Sequence, residues 1–99
     1  MLSINKKVNG TELELSLAGR LDTTTAPELE TTVKGNIAGV ESLVFDFAKL
    51  EYIPSAGLRV LLSAQKIMNK QGAMAVTNVC DEIQEIFEVT GFSDILTIK

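Results

Sequence analysis

The stretch IPSAGLRVLL, residues 53–62, is where a loop ends and an apolar helix begins, and the rest of the chain is arranged around it. Pro54 fixes its own φ angle and favours an extended conformation at Ile53, so the helix is predicted to begin at or just after Ser55. The Ser55 hydroxyl can accept a hydrogen bond from a first-turn N–H group. Gly57 lets the backbone approach a neighbouring element closely.

The same residues are compatible with a second role for the Ser55 hydroxyl. A phosphate added there would lie against free N–H donors and the positive end of the helix dipole. Most serines that precede an apolar helical run are only caps. The residues alone therefore leave both roles open, with the cap as the more frequent one.

Length and composition indicate one globular domain that spans residues 1–99. Hydrophobic residues make up 45% of the chain and charged residues 22%, and no apolar stretch approaches the roughly 18 residues of a membrane-spanning helix. Lys6 and Lys7 follow the first apolar residues, which is unlike the order in a secretory signal. We therefore expect a cytoplasmic protein with no membrane insertion. The single Cys80 cannot form an internal disulfide and is expected to be a small buried hydrophobe.

Charge and residue types exclude several classes of function. A net charge of −4 and a single tyrosine among five aromatic residues are unlike a nucleic-acid-binding surface. The chain has no histidine, which removes Ser-His-Asp and Cys-His catalysis and the usual zinc sites. Neither G-x-G-x-x-G nor G-x-x-x-x-G-K-[ST] occurs, so these nucleotide loops are absent. We expect no metal, no cofactor and no nucleic acid as a partner.

The first twenty residues predict an antiparallel hairpin. Apolar and polar residues alternate over 2–8 and again over 12–17, as in two strands that each bury one face. Asn9-Gly10 lies between them, and Asn-Gly is the preferred pair for a type I′ turn.

A helix is predicted after the second strand. Thr25 offers a cap hydroxyl, Pro27 suits the first turn, and Glu28 completes a capping box three residues after Thr25. Apolar residues then recur at three- and four-residue spacing as far as Ile37, which gives the helix one apolar stripe.

The second half of the chain continues this alternation. Residues 43–47 form a nearly continuous apolar run, typical of a strand covered on both faces, and 73–77 reads as another buried strand. The helix from Ser55 is predicted to be mostly buried, with a narrow basic stripe that is solvated or contacts a partner. A third helix is capped near Asn78 and Asp81 and ends at Gly91, and residues 94–98 form an edge strand or a packed tail.

The order of elements is that of an α/β fold with right-handed crossovers between parallel strands. The segments after the second, third and fourth strands should then emerge at the same edge of the sheet, where such folds usually bind ligands. This geometry predicts that Asp22, Ser55 and Asn78 are neighbours. Asp46 is either a hydrogen-bonded carboxylate near the end of its strand or part of a site there, and the first is more frequent.

Three groups of residues occur in register along the chain: Gly19-Arg20-Leu21-Asp22 before Ala26-Pro27-Glu28-Leu29, Leu43–Phe47 before Ile53–Leu58, and Ile86-Phe87 with Thr90-Gly91-Phe92. The Ser-Ala-Gly-Leu stretch is weak evidence alone, but the combination is specific. Together these groups resemble the STAS domain family, the sulfate transporter and anti-sigma factor antagonist family. The likeness covers nearly the whole chain.

The resemblance implies a mixed sheet of four to five strands, made of an N-terminal hairpin and parallel strands with helices packed on it. It also implies no catalytic activity and, for single-domain bacterial members, partner switching in transcription regulation. An unphosphorylated antagonist binds an anti-sigma factor that is also a serine kinase, and phosphorylation of one serine ends the interaction. That serine corresponds to Ser55, and the partner-binding residues are expected to be Asp22, Thr23, Pro54, Ser55, Ala56, Gly57 and Arg59.

The sequence departs from the family on both sides of Ser55. Pro54 replaces an aspartate that is often found there, and Ala56 replaces a second hydroxyl residue. Pro54 favours an alternative in which the chain is a non-switching STAS subunit of a transporter or sensory complex. Two further alternatives are a small enzyme with Asp22 and Asp46 as acid and base, and capture of a ligand in a pocket at the sheet edge.

Overall fold

A computed structural model describes residues 2–99 of the chain. Its elements are β1 (Leu2–Asn9), β2 (Glu12–Gly19), α1 (Ala26–Asn36), β3 (Ser42–Leu50), α2 (Ser55–Met68), β4 (Ala73–Thr77), α3 (Asp81–Thr90) and a 3₁₀ turn (Phe92–Asp94). The strands form one mixed sheet in the order β1-β2-β3-β4, with β1 antiparallel to β2 and the other neighbours parallel. The predicted α/β class, hairpin and parallel strands are confirmed.

The turn of the β1–β2 hairpin lies one residue later than predicted. Asn9 pairs with Glu12, so Gly10 and Thr11 are the two central residues of the turn. Gly10 has a φ of 62°, whereas Thr11 does not have a positive φ. The predicted type I′ turn is therefore wrong, because it needs positive φ at both central positions. A glycine at the first central position alone is the pattern of a type II′ turn.

All three helices lie on one face of the sheet. The crossovers from β2 to β3 and from β3 to β4 move in the same direction across the sheet, so right-handed connections place α1 and α2 on the same side. Leu15, Phe45 and Val76 from the sheet are fully buried there, as are Ile83 and Phe87 of α3. The hydrophobic core is the layer between this face of the sheet and the helices.

The opposite face of the sheet, here called the open face, has no helix on it. Leu43 and Phe45 are fully buried, but Val44 and Asp46 between them are half-buried, and the same alternation continues in β4. The prediction that residues 43–47 are covered on both faces is therefore wrong, as is the reading of 73–77 as a fully buried strand. An apolar residue such as Val44 fits a half-exposed position in a central strand. An apolar run therefore does not by itself show that both faces of the strand are buried.

A bulge near the end of β3 is stabilised by Asp46. The strand register shifts between Ser16 and Ala18 of β2, opposite residues 46–49. The Asp46 carboxylate accepts hydrogen bonds from the backbone N–H of Ala48 at 2.9 Å and from the side-chain amide of Asn78 at 3.0 Å. The interpretation of Asp46 as a hydrogen-bonded carboxylate is confirmed. The bulge turns Leu50 back into the core and so sets the direction of the segment that leads to α2.

The C-terminal part of the chain was predicted in outline. Gly91 ends α3 with a φ of 82°, as expected, and Asp81 lies in the first turn. The residue at the N-cap is Cys80, so the predicted cap at Asn78 is wrong; Asn78 instead has a φ of 56° in the preceding loop. Cys80 is half-buried, less than expected for a small core residue. Residues 94–98 are a packed tail with a single parallel bridge between Ile98 and Val76. Within residues 2–99, no helix is both long enough and apolar enough to cross a membrane.

Candidate functional site

Two loops meet at the carboxyl ends of β2 and β3, and buried contacts hold them together. Leu21 of the β2–α1 loop and Ile53 of the β3–α2 loop are both buried against Gly57. A Cβ atom at Gly57 would lie 2.7 Å from Leu21 Cδ2 and 2.9 Å from Ile53 Cγ1, closer than real Cβ atoms approach their neighbours. The predicted close approach at Gly57 is confirmed. The two loops with the first turn of α2, residues 20–25 and 51–59, are called the loop surface below.

An exposed aromatic ring adds a second contact between the two loops. Arg20 Cζ lies 5.9 Å from the centre of the Tyr52 ring, within the range of a cation–π interaction. Tyr52 is 45% exposed. The sequence pointed to Arg20 only as part of the Gly19–Asp22 motif. It did not single out Tyr52, although Tyr52 is the only tyrosine of the chain and directly precedes Ile53-Pro54-Ser55. Exposed tyrosine and arginine are the types that most often dominate binding energy at protein interfaces.

Asp22 organises the start of α1. Its Oδ1 accepts hydrogen bonds from the Thr24 N–H at 2.9 Å, the Thr24 hydroxyl at 2.6 Å and the Thr25 N–H at 3.0 Å. Thr25 is at the N-cap, as predicted, but its side chain makes no capping bond; its Oγ1 instead accepts a hydrogen bond from the Asp22 N–H at 2.8 Å. The predicted capping box with Glu28 is therefore wrong. Asp22 already accepts the Thr25 N–H that Glu28 would have bound.

These hydrogen bonds also set the charge of Asp22. The Thr24 hydroxyl and the backbone N–H of Thr25 lower the pKa of Asp22 from its ordinary 3.8 to about 2. Arg20 Nε lies 3.9 Å from the other carboxylate oxygen, at the limit of an ion pair. The Asp22 carboxylate on the loop surface therefore stays ionised at every pH above the acidic range.

Ser55 is the first residue of α2, one position inside the helix. The N-cap is Pro54, which is extended at φ −86° and ψ 173°, and its carbonyl accepts the Leu58 N–H at 3.0 Å. The interpretation of Ser55 as the side-chain cap is therefore wrong, because α2 has no side-chain capping bond. The Ser55 side chain is exposed. Its hydroxyl is available to a partner or an enzyme.

The start of α2 is favourable to an added anion. The N–H groups of the first turn have no carbonyl partner inside the helix, and the dipole places partial positive charge there. No acidic residue lies in this turn to offset that charge. Arg59 is exposed and lies one turn after Ser55, a spacing that puts both residues on the same side of α2.

The structure places the remaining predicted residues in different environments. Thr23 is exposed in the β2–α1 loop, and Ala56 is half-buried and packed against the core. Asn78, which was expected beside Asp22 and Ser55, instead donates its hydrogen bond to Asp46. The β2–α1 and β3–α2 segments therefore come together as predicted, and the third segment takes another partner.

An open groove lies beside the loop surface. It has a volume of about 760 Å³ and is lined by residues 48–51, at the end of β3 and the start of the next loop, and by residues 80–82 at the start of α3. Neither Ser55 nor Asp22 lines it. The ligand-binding alternative needs a pocket at this edge of the sheet. The groove found there is an open depression between two elements, and its shape suits a surface contact better than an enclosed small molecule.

Sequence comparison identifies relatives along nearly the whole chain. A family model described as the STAS domain matches residues 3–99. The anti-sigma-B factor antagonist of Listeria monocytogenes is 31% identical over 105 residues, which cover 99% of this chain and 89% of the relative.

Solved structures have the same fold. An anti-sigma factor antagonist from Mycobacterium paratuberculosis superposes with a TM-score of 0.90 at 21% identity, over 99% of this chain and 85% of that one. The anti-sigma factor antagonist SpoIIAA in its unphosphorylated form gives a TM-score of 0.85 at 15% identity, over 98% and 88% of the two chains. The order of strands and helices described above is therefore shared with known proteins.

Proposed function

The chain belongs to the STAS domain family, and from this premise we propose that it is a bacterial anti-sigma factor antagonist that acts by partner switching. In its unphosphorylated form it binds an anti-sigma factor that is also a serine kinase. Phosphorylation of Ser55 by that kinase ends the interaction. The proposed activity is binding, without catalysis by the chain itself, and its site of action is the cytoplasm.

The exposure of Ser55 is the observation that carries this proposal. The hydroxyl is exposed on the first residue of α2. Two residues further on, Gly57 leaves room for Leu21 and Ile53 of the two loops to pack closely. Related proteins support the proposal: the relative in Listeria monocytogenes is named an anti-sigma-B factor antagonist, and SpoIIAA has been solved in phosphorylated and unphosphorylated forms.

The proposed partner site is the loop surface. Asp22 supplies a carboxylate that is ionised at neutral pH, and Thr23 and Arg59 are exposed residues of the same surface. Pro54 and Ala56 flank Ser55 and limit the conformations of the segment. Tyr52 adds an exposed aromatic ring to the residues predicted from the sequence.

A phosphate on Ser55 needs no rearrangement of the fold to act as a switch. It adds about −1.5 to −2 charges at neutral pH. At a close-packed interface, an unpaired or repelled charge costs about 2–5 kcal/mol, which corresponds to a loss of affinity of roughly thirtyfold or more. Asp22 in the same surface already carries negative charge, so a partner suited to it would meet an altered electrostatic pattern after phosphorylation.

The direct test is phosphorylation by the serine kinase encoded nearest to this gene. The purified chain is incubated with that kinase and ATP, and the modified residue is mapped by mass spectrometry. We expect a single phosphate on Ser55. Ser63, half-buried on the same helix, is an internal control and should stay unmodified. A phosphate on another residue, or none, refutes the assignment of Ser55.

Two substitutions at Ser55 test the switch itself. Ser55→Ala should keep the affinity for the anti-sigma factor, because the fold does not use the hydroxyl, whereas Ser55→Asp should weaken it at least about tenfold through its added charge. Calorimetry with the purified partner measures both values. Ser3→Asp, an exposed serine in β1, is the matched control and should bind normally. Equal affinity of Ser55→Asp and wild type would contradict the switch.

Pro54 favours a second candidate, a non-switching subunit of a transporter or sensory complex. Proline at the N-cap replaces the aspartate often found before the modified serine in the family, and it stiffens the segment that a kinase would need to bind. Affinity purification of the tagged chain from its host distinguishes the two. Recovery of transporter subunits without a kinase would favour the second candidate.

A further inference from the structure

The outward side of α3 carries an apolar stripe that no other part of the described chain covers. Ile83 and Phe87 are fully buried in the hydrophobic core, but Val89 is 81% exposed and Ile86 is half-buried. Ile86 and Val89 line a shallow groove of about 340 Å³ together with Glu82, Glu85 and Thr90. These five groove-lining residues are called the α3 groove below.

The negative charge of the protein is concentrated around this groove. Between Gln71 and Ile98 the chain has five carboxylates and no lysine or arginine: Asp81, Glu82, Glu85, Glu88 and Asp94. The whole chain has 13 acidic and nine basic side chains, so the rest of the molecule is close to neutral. Within residues 2–99 none of the five carboxylates forms a salt bridge, since the two ion pairs join Arg20 to Asp22 and Lys34 to Glu30.

Helix stability accounts for only part of this acidic cluster. Asp81 and Glu82 lie in the first turn of α3, where the helix dipole favours negative charge. Glu88 lies near the other end, where negative charge is unfavourable, and the last turn has no basic residue. Glu85 and Glu88 therefore do not serve the helix itself, whereas both would serve recognition of a positively charged partner.

We propose that the α3 groove binds a basic amphipathic helix of another protein. Apolar side chains of that helix would cover Ile86 and Val89, and lysine or arginine residues beside them would pair with Glu82 and Glu85. This is the helix-in-groove mode, with an acidic rim that selects the charge of the partner. A second copy docking through its own α3 would bring like charges together, and an anionic lipid surface would be repelled. No residue of the loop surface lines the α3 groove, so the inference does not depend on the proposed switch.

A peptide titration tests this inference. The probe is a synthetic helical peptide with leucines at i, i+3 and i+7 and lysines beside them, and a scrambled peptide of the same composition is the control. The ¹⁵N-labelled chain of residues 1–99 is titrated with each peptide and followed by NMR. We expect amide shifts centred on Ile86 and Val89 with the helical peptide only. Binding should weaken as salt rises from 0.05 to about 0.5 M, because exposed charges are screened at short range.

Matched variants assign the binding to this groove. Val89→Ser should weaken the helical peptide about tenfold, since burying a valine side chain contributes about 1.5 kcal/mol. Val8→Ser, which removes another valine that is 61% exposed, should have no effect. The pair Glu82→Gln and Glu85→Gln should reduce the salt dependence. Glu28→Gln with Glu30→Gln on α1 should leave it unchanged. Ser55→Asp should bind the peptide normally, which separates this test from that of the switch.

Several results would overturn the inference. These are shifts centred elsewhere, equal binding of both peptides, and the absence of binding at millimolar peptide. Self-association that Val89→Ser abolishes, measured by light scattering without peptide, would assign the groove to a second copy instead. Binding to vesicles of anionic lipid that depends on Val89 would assign it to a membrane surface.

Discussion

Asp22 combines a structural role with a position on the loop surface. Its carboxylate accepts bonds from Thr24 and Thr25 and so shapes the loop before α1, and this is why its pKa is low. The sequence placed Asp22 at the site, through the Gly-x-Leu-Asp motif, but assigned the helix cap to Thr25 and Glu28. The carboxylates of Asp22 and Glu28 can both accept the Thr25 N–H. The spacing of residues in the sequence does not tell which of the two carboxylates lies nearer to it.

Asp22→Ala should lower the thermal midpoint of the protein at neutral pH. Because the folded-state pKa is below the unfolded value, the ionised carboxylate stabilises the fold above about pH 4, and this contribution is lost as the pH falls through about 2. The difference between variant and wild type should therefore narrow over that range. Circular dichroism melts from pH 7 to pH 2 measure it. Asp94→Ala, at an exposed carboxylate in the 3₁₀ turn, is the control. A difference that stays constant with pH would contradict this role.

Ser55 shows the accuracy that sequence reasoning reaches at single-residue scale. Pro54 correctly located the start of α2, and the motif singled out Ser55. The role as a cap was wrong by one position, since the proline carbonyl itself accepts the first helical bond. If the helix began one residue later, the Ser55 hydroxyl would be at the N-cap position and could cap the helix. Because the extended Pro54 is the N-cap instead, the hydroxyl makes no capping bond.

At the scale of elements, α2 and the β2–α1 loop form a single packed unit through Gly57. The sequence predicted that Gly57 allows a close approach, but it did not identify the neighbour. Leu21 is that neighbour, and its side chain would collide with any Cβ at position 57. Contacts between elements distant in sequence leave no local pattern, which is also why Arg20 and Tyr52 were not paired in advance.

Gly57→Ala and Gly35→Ala should change stability in opposite directions. The first forces a methyl group against Leu21 and Ile53 and should cost about 1–3 kcal/mol of unfolding free energy. The second lies near the end of α1 with nothing within 4 Å of the added atom, and should stabilise by up to about 1 kcal/mol. Urea denaturation measures both. A neutral Gly57→Ala would contradict a tight contact, because the clash would then be no larger than the roughly 1 kcal/mol that alanine gains over glycine in a helix.

At the scale of the whole molecule, the protein has two layers and leaves one side of its sheet open. The order of strands and helices was enough to predict the α/β class, and the alternation of apolar and polar residues was enough to predict the hairpin. Both signals can be read from short stretches of sequence. The number of layers was predicted wrongly, because residues 43–47 were expected to be covered on both faces. A strand with an apolar run can be buried on one face or on both. The charged Asp46 within this run was the sequence feature that indicated a face without a helix.

Neighbouring substitutions in β3 test this one-sided burial. Leu43→Ser places a hydroxyl in the core and should cost about 3 kcal/mol or more, as large-to-small changes in packed cores do. Val44→Ser changes the adjacent, half-buried residue on the open face and should cost about 1 kcal/mol or less. Chemical denaturation of the two variants gives the comparison. Equal losses would mean that the open face is covered in solution.

The free hydroxyl at the start of α2 has a further consequence for regulation. Since no hydrogen bond of the helix cap depends on the Ser55 hydroxyl, a modification of that hydroxyl breaks no contact of the cap. In the proposed role, a phosphoryl group can be attached and hydrolysed repeatedly while the domain keeps the same shape, so each cycle requires only the transfer chemistry. The lifetime of the signal is then set by the rates at which the phosphate is added and removed, and not by a conformational relaxation of the chain.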